Sequence, residues 1–324
     1  MVLSLAAIVV GLALLVWSAD RFVEGAAATA RNLGVSTLII GITIIGFGTS
    51  APEIMISLFS VLDNTPDLAI GNALGSNIAN IGLILGFTAI FVPLGFGSAL
   101  LKREFPILLL ASGLLVWVLW DNRLNLTDGL LLMGLLTGAM VYLIRSSLAS
   151  RDDRLIEEMD HEIPTDMSTG KALMWSLVGL VVLVASSRLL VWGAVNIATA
   201  LGVGELIIGL TIVAIGTSLP ELAAAIAGAR KGEPDLVMGN VIGSNLFNSL
   251  AVIGIPALLT NFQISPEAFS RDLSVTLALT LGLFVMSRYP SSSCCLITRN
   301  KGILLLSAFV LYQGLLYYQA AVHS

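Results

Sequence analysis

Two stretches of this chain, 168 residues apart, spell nearly the same sequence. Gly41-Ile-Thr-Ile-Ile-Gly-Phe-Gly-Thr-Ser-Ala-Pro-Glu53 matches Gly209-Leu-Thr-Ile-Val-Ala-Ile-Gly-Thr-Ser-Leu-Pro-Glu221. Pro66-Asp-Leu-Ala-Ile-Gly-Asn-Ala-Leu-Gly-Ser-Asn-Ile-Ala-Asn80 matches Pro234-Asp-Leu-Val-Met-Gly-Asn-Val-Ile-Gly-Ser-Asn-Leu-Phe-Asn248. Taking 41 from 209, or 66 from 234, gives the same 168. Chance similarity between glycine-rich segments would not keep register across two motifs and the loop that joins them. The repeat therefore predicts a fold made of two copies of one unit.

What surrounds the repeats is apolar. Of the 324 residues 56% are hydrophobic and 11% charged, against about 25% charged in soluble domains. A globule in water could not cover itself with so little polar surface. The apolar residues come in long blocks, such as Leu3 to Trp17, Phe105 to Trp120, Leu173 to Ser186 and Ile303 to Tyr318. Spanning a bilayer takes about 20 such residues in a helix, and lipid excludes irregular backbone. The short alternating segments of a β-barrel are absent from the sequence. The first block is long and has no basic leader, so it reads as a membrane helix and not a signal peptide.

Hydropathy and length predict an all-α integral membrane protein with about ten helices, near 2–31, 36–62, 67–92, 104–120, 127–145, 170–200, 204–229, 235–259, 272–288 and 302–320. Five helices separate equivalent points of the two copies. An odd number reverses the direction of crossing, so the halves are expected to be inverted: 1–145, a cytoplasmic linker 146–169, and 170–324. Secondary transporters recur with this architecture and bind substrate where the repeats meet. Loop charges orient the chain. Of its sixteen Lys and Arg, twelve fall on one side and only Arg123 and Arg271 on the other, with Arg21 and Arg188 inside helices. By the positive-inside rule both termini face away from the cytoplasm, as in a multi-pass protein of the inner or plasma membrane.

The chemistry sits in Gly48-Thr-Ser-Ala-Pro-Glu53 and its copy. Proline removes a backbone donor and frees a carbonyl one turn earlier, here near Gly46 and Phe47, and near Ala214 and Ile215. Hydroxyls from Thr49, Ser50, Thr217 and Ser218 add neutral oxygens, and Glu53 and Glu221 add charged ones. Small residues at helix spacing are usually packing surfaces, and Gly71, Gly75, Gly239 and Gly243 fit that role. A carboxylate within a span is different. It costs about 3 kcal/mol at a helix centre and is a functional candidate by default. Two of them at equivalent positions predict a shared cation site. An oxygen shell suits Na⁺ or Ca²⁺, and neither His nor Cys is near to suit zinc or copper. Ser76 and Asn80 share a helix face, as do Ser244 and Asn248, and are expected ligands. For Asn77 and Asn245, coordination and helix-to-helix hydrogen bonding are equally supported.

Taken together, the Gly-Thr-Ser-x-Pro-Glu and Gly-Ser-Asn-x-x-Asn signatures resemble the α-repeats of the cation/calcium exchanger superfamily. They are most similar to its sodium/calcium exchanger branch, in the compact bacterial or archaeal form. The resemblance implies that Glu53 and Glu221 bind Ca²⁺ and competing Na⁺. It also implies that Thr49, Ser50, Ser76, Asn80, Thr217, Ser218, Ser244 and Asn248 complete the ion sites, while the first and sixth helices slide across this core. Some relatives, potassium-dependent ones included, carry Asp at the position of Asn248. Asparagine in both halves disfavours potassium dependence.

The rival readings are a Ca²⁺/H⁺ antiporter using the same carboxylates and, in another class, a passive cation channel. An enzyme is not expected, since His161 and His323 fall outside the spans and no nucleophile–base set appears. Nor is a resident cofactor or a nucleic-acid partner; the expected partners are the bilayer and the transported Ca²⁺, Na⁺ and H⁺. The acidic stretch from Arg145 to Lys171 lacks EF-hand spacing and reads as a solvated linker. Adjacent Cys294 and Cys295 read as two loop thiols. Asp20, Arg21, Glu24 and Arg188 are read as lying toward helix ends, where snorkelling or local pairing accounts for them. Asp67 and Asp235 suit the N-termini of the helices they open.

Overall fold

A computed structural model describes residues 1–34, 50–150, 167–232, 234–289 and 295–323. Among these residues, eight helices are long and apolar enough to cross a membrane. They are α1 (Val2–Asn32), α3 (Pro66–Phe91), α5 (Leu126–Ser150), α6 (Thr169–Leu201), α7 (Glu205–Arg230), α8 (234–259), α9 (Ala268–Arg288) and α10 (Arg299–His323). Two others complete the chain order. The helix α2 (Ala51–Leu62) is short. The helix α4 (Ser98–Leu119) carries Lys102, Arg103 and Glu104 near its start. The acidic segment 151–166, Cys294 and residues 35–49, which include Thr49, lie outside the described residues. The chain is thus an all-α, multi-pass membrane protein.

Helices in lipid gain nothing from hydrophobic burial against one another, so close approach and packing decide their arrangement. The helices α1 and α6 lie together along their length. Gly11 packs on Leu190, Gly25 on Ala172 and Ser176, Gly179 on Phe22 and Gly193 on Ser4. Rising numbers on one helix meet falling numbers on the other, so the two run antiparallel. A second close crossing joins α3 to α7. A Cβ on Gly71 would lie 2.5 Å from the Leu206 carbonyl oxygen, and one on Gly209 would lie 2.6 Å from that of Leu68.

The centre of the molecule is α3 and α8. Every residue from Leu68 to Ile78 is buried. Both helices depart from α geometry at the same place: a π-helical turn covers Ala79–Leu85 in α3 and Asn248–Val252 in α8. Such turns are rare and gather at functional sites.

Irregular features recur at the repeat spacing. Left-handed Gly34 and Gly202 follow α1 and α6, and left-handed Asn64 and Gly232 follow α2 and α7. Two two-residue strands, Leu94–Gly95 and Phe262–Gln263, pair antiparallel with Leu296–Ile297 and Arg123–Leu124 respectively. The Asp67 carboxylate accepts hydrogen bonds from the Ser265 N–H (2.7 Å) and hydroxyl. Asp235 accepts one from the Gly97 N–H at 2.6 Å. These aspartates do open their helices, but each also ties its helix to a loop of the opposite half, which spacing alone does not reveal.

Two expectations change. Arg21 and Arg188 sit well inside α1 and α6 and not toward their ends. Arg21 pairs with Glu24 at 2.5 Å and lies over the Trp175 ring; Arg188 reaches Asp63 at 3.4 Å and lies over Phe59. Pairing, one of the two explanations expected, holds both guanidinium groups, locally for Arg21 and outside its own helix for Arg188. Arg271, expected in a loop, belongs to the π-helical start of α9 and grips the fully buried Asp272 at 2.6 and 3.0 Å. Tyr312 donates to the same carboxylate at 2.7 Å, and Gln319 accepts from Arg271, so one buried polar cluster joins α9 to α10. Cys295 is buried in a left-handed turn.

Candidate cation site

The two signature segments fold alike where they are described. Ser50 (φ −90°, ψ 3°) and Ser218 (φ −83°, ψ 4°) precede the helices that carry the glutamates with nearly identical backbone angles, and Ser218 interrupts α7. Pro52 and Pro220 then occupy the first turn of the helix that follows, a position where the missing N–H costs nothing. Glu53 and Glu221 fall in that same first turn, where the positive end of the helix dipole favours a negative charge. In both segments the proline sits beside a carboxylate at a helix start, and in α7 that start follows a break in the span.

Nine of the ten predicted ligands lie among the described residues, and none is more than 2% exposed: Ser50, Glu53, Ser76, Asn80, Thr217, Ser218, Glu221, Ser244 and Asn248. They come from α2, α3, α7 and α8. The Ser76 and Thr217 hydroxyls meet at 3.5 Å across the α3–α7 crossing. The two glutamates are close enough for their charges to interact. Asn80 and Asn248 both lie within the π-helical turns.

The protein leaves much of this set without partners. Both carboxylate oxygens of Glu53, one of Glu221, the hydroxyls of Ser50, Ser218 and Ser244, the Asn80 Oδ1, and the amide oxygen and nitrogen of Asn248 make no hydrogen bond within the chain. A buried polar group left unsatisfied costs about 1–3 kcal/mol, more if charged. Native proteins rarely leave several together unless something else fills their valence. Nearly all the unpartnered atoms here are oxygens, the donor type that hard cations take.

Asn77 and Asn245 both bond helix to helix, while Asn77 keeps its Oδ1 unpartnered. Asn77 Nδ2 donates to Ser249 Oγ (2.9 Å), and Asn245 Oδ1 accepts from Asn80 Nδ2 (3.0 Å). The Ala214 carbonyl, one of those expected to be freed, accepts from the Ser218 N–H (3.1 Å) and the Thr217 hydroxyl (3.2 Å). Two polar residues beside the site escaped the sequence reading. Asn72 and Ser57 are both fully buried and bonded to each other. Asn72 belongs to the repeated Gly-Asn pair, so the motif itself held the signal.

Buried carboxylates at two helix starts of a membrane protein suit a cation site, and comparison with known proteins gives the family. The sodium/calcium exchanger protein family matches residues 3–145 and 171–318. The chain belongs to that family of cation and Ca²⁺ antiporters. A protein named as an antiporter, CaxA of Alkalimonas amylolytica, is 47% identical over 96% of this chain and 97% of its own. The inner membrane protein YrbG of Escherichia coli strain K12 is 41% identical, over 99% of each chain. Among solved structures, the sodium-calcium exchanger NCX_Mj soaked with Na⁺ is similar with a TM-score of 0.62 and 29% identity, over 96% of this chain and 97% of that one.

Proposed function

We propose that this protein exchanges Ca²⁺ for Na⁺ through a site formed by Glu53 and Glu221, completed by Thr49, Ser50, Ser76, Asn80, Thr217, Ser218, Ser244 and Asn248. The observation that carries this reading is the set of unpartnered buried oxygens around two carboxylates. Two carboxylates are neutralised by one Ca²⁺ or by two Na⁺. Because the ions use the same ligands, they exclude one another. An empty site would leave two anions uncompensated in low dielectric, which is very costly. The empty carrier therefore resists crossing between its two open states, and exchange proceeds without leak. The ions are cargo, and no resident cofactor takes part. Sodium as counter-ion is supported by the family and by the related exchanger NCX_Mj.

In this reading ten spanning helices form two inverted halves, 1–145 and 170–324, joined by a cytoplasmic linker at 146–169, with both termini outside. The antiparallel α1 and α6, the recurrence of turns, π-helical segments and aspartate ties at the repeat spacing, and the two separate family matches all support it. The paired helices α1 and α6, in contact through glycines, slide over the core to expose the site on alternate sides. The test is radiolabelled Ca²⁺ uptake into proteoliposomes with an outward Na⁺ gradient at clamped pH. Uptake that depends on internal Na⁺ is expected. Uptake driven only by an outward proton gradient would replace Na⁺ by H⁺ as counter-ion, and conductance without any counter-ion would make the protein a channel.

A further inference from the structure

The two halves of the site are built from one motif, yet one position beside it differs. Ser57 on α2 corresponds, at the repeat spacing, to Ala225 on α7. The difference bears on two asparagines that match at the same spacing, Asn72 on α3 and Asn240 on α8. Asn72 Nδ2 donates to the Glu53 carbonyl oxygen and to Ser57 Oγ, each at 3.0 Å. The Ser57 hydroxyl in turn donates to the Ala69 carbonyl at 3.3 Å. With its nitrogen held by two acceptors, the amide presents its oxygen to Thr217, whose Oγ1 lies 3.4 Å away in the other half. Asn240 has no such serine, and its buried Nδ2 makes no hydrogen bond.

Hydrogen accounting shows what the Asn72 network does for a ligand. Thr217 has one hydroxyl hydrogen and two acceptors for it, Asn72 Oδ1 and the Ala214 carbonyl. The Ser76 hydroxyl lies 3.5 Å from the same Thr217 Oγ1, and either hydroxyl can donate in that pair. A Thr217 hydrogen held by Asn72 Oδ1 or by the Ala214 carbonyl leaves lone pairs of that hydroxyl for a cation. The same asparagine grips the backbone of Glu53. One side chain thus ties the Glu53 backbone of the first half to a hydroxyl of the second.

We propose that Asn72, locked by Ser57, is a positioning residue that presets Glu53 and Thr217 as oxygen donors, and that the cation site is unequal by construction because Ala225 leaves Asn240 unlocked. This inference rests on the exchange reading above and deepens it. Cation affinity is then set more by the Ser57 side than by its repeat mate, although the ligands themselves are duplicated.

The test uses the full-length protein in proteoliposomes, with half-saturating Ca²⁺ and maximal rate read separately. Ser57→Ala removes one acceptor of the Asn72 amide and should raise half-saturating Ca²⁺ by roughly three- to tenfold, the range of one ordinary hydrogen bond, with the maximal rate kept. Ala225→Ser supplies the missing acceptor to Asn240 and should lower half-saturating Ca²⁺. A merely structural role would change the amount of folded protein or the maximal rate and leave half-saturation where it was. If Ser57→Ala leaves half-saturating Ca²⁺ within twofold, or Ala225→Ser leaves it unchanged or raised, the proposal is overturned. Glu53→Gln serves as the control. Its inactivity alongside unaffected Ser57→Ala protein would sink this inference alone, whereas its full activity would sink the site beneath it.

Discussion

Replacing Glu53 by glutamine changes the charge of the site and almost nothing of its shape, so its effect on Ca²⁺ binding can be worked through. Both Glu53 carboxylate oxygens are unpartnered, and the residue is 1% exposed. Removing one member of a buried charge pair typically costs about 3–5 kcal/mol. At about 1.4 kcal/mol per decade that weakens Ca²⁺ binding by roughly two to three and a half orders of magnitude. The assay is thermal unfolding in detergent with and without Ca²⁺. Ligand at 100 times its dissociation constant stabilises the native state by about 2.7 kcal/mol, and a hundredfold weaker affinity leaves about 0.4 kcal/mol. With about 2–4 °C per kcal/mol for large domains, Ca²⁺ should raise the wild-type Tm by roughly 5–11 °C and that of Glu53→Gln by less than about 2 °C. A Glu53→Gln protein that keeps the full Ca²⁺-induced shift would refute the assignment of this carboxylate as a ligand.

Three further outcomes follow from the packing and the ties between halves. Gly209→Ala places a methyl 2.6 Å from the Leu68 carbonyl oxygen and should lower stability by about 1–3 kcal/mol, seen as a lower Tm; an unchanged Tm would mean that the α3–α7 crossing gives way easily. Asp67→Asn weakens two charge-assisted bonds to Ser265 and Asp235→Asn only one to Gly97, so the first should cost more, by about 1 kcal/mol. Tyr312→Phe leaves Asp272 paired with Arg271 and should cost about 1 kcal/mol, whereas Asp272→Ala strands the guanidinium and should cost about 3–5 kcal/mol; equal Tm values for the two variants would contradict the cluster as described.

Much of this molecule was legible in the sequence because the membrane narrows the choices. Long uncharged runs become helices, and a Pro-Glu pair inside one marks both a break and a costly charge. Those two rules placed most helix bounds within a few residues and brought Glu53 and Glu221 into one buried neighbourhood. What stayed hidden depends on contacts distant in sequence. The Asp67 tie to Ser265 joins positions 198 residues apart, and no local pattern records it. Nor does composition distinguish a π-helical turn from the α-helix on either side, so Asn80 and Asn248 were placed on helix faces but not on the distortion that presents them. Asn72 stood in the repeated motif but drew no assignment, because its contacts depend on Ser57, a residue that the repeat does not preserve.

In the proposed function, exchange runs through one pair of carboxylates. The most direct test is radiolabelled Ca²⁺ uptake into Na⁺-loaded proteoliposomes, comparing wild type with Glu53→Gln and Glu221→Gln at equal reconstitution. Rapid uptake by the wild type, abolished by removing internal Na⁺ and lost in both variants, is the predicted result. Uptake at the wild-type rate by either variant would contradict it.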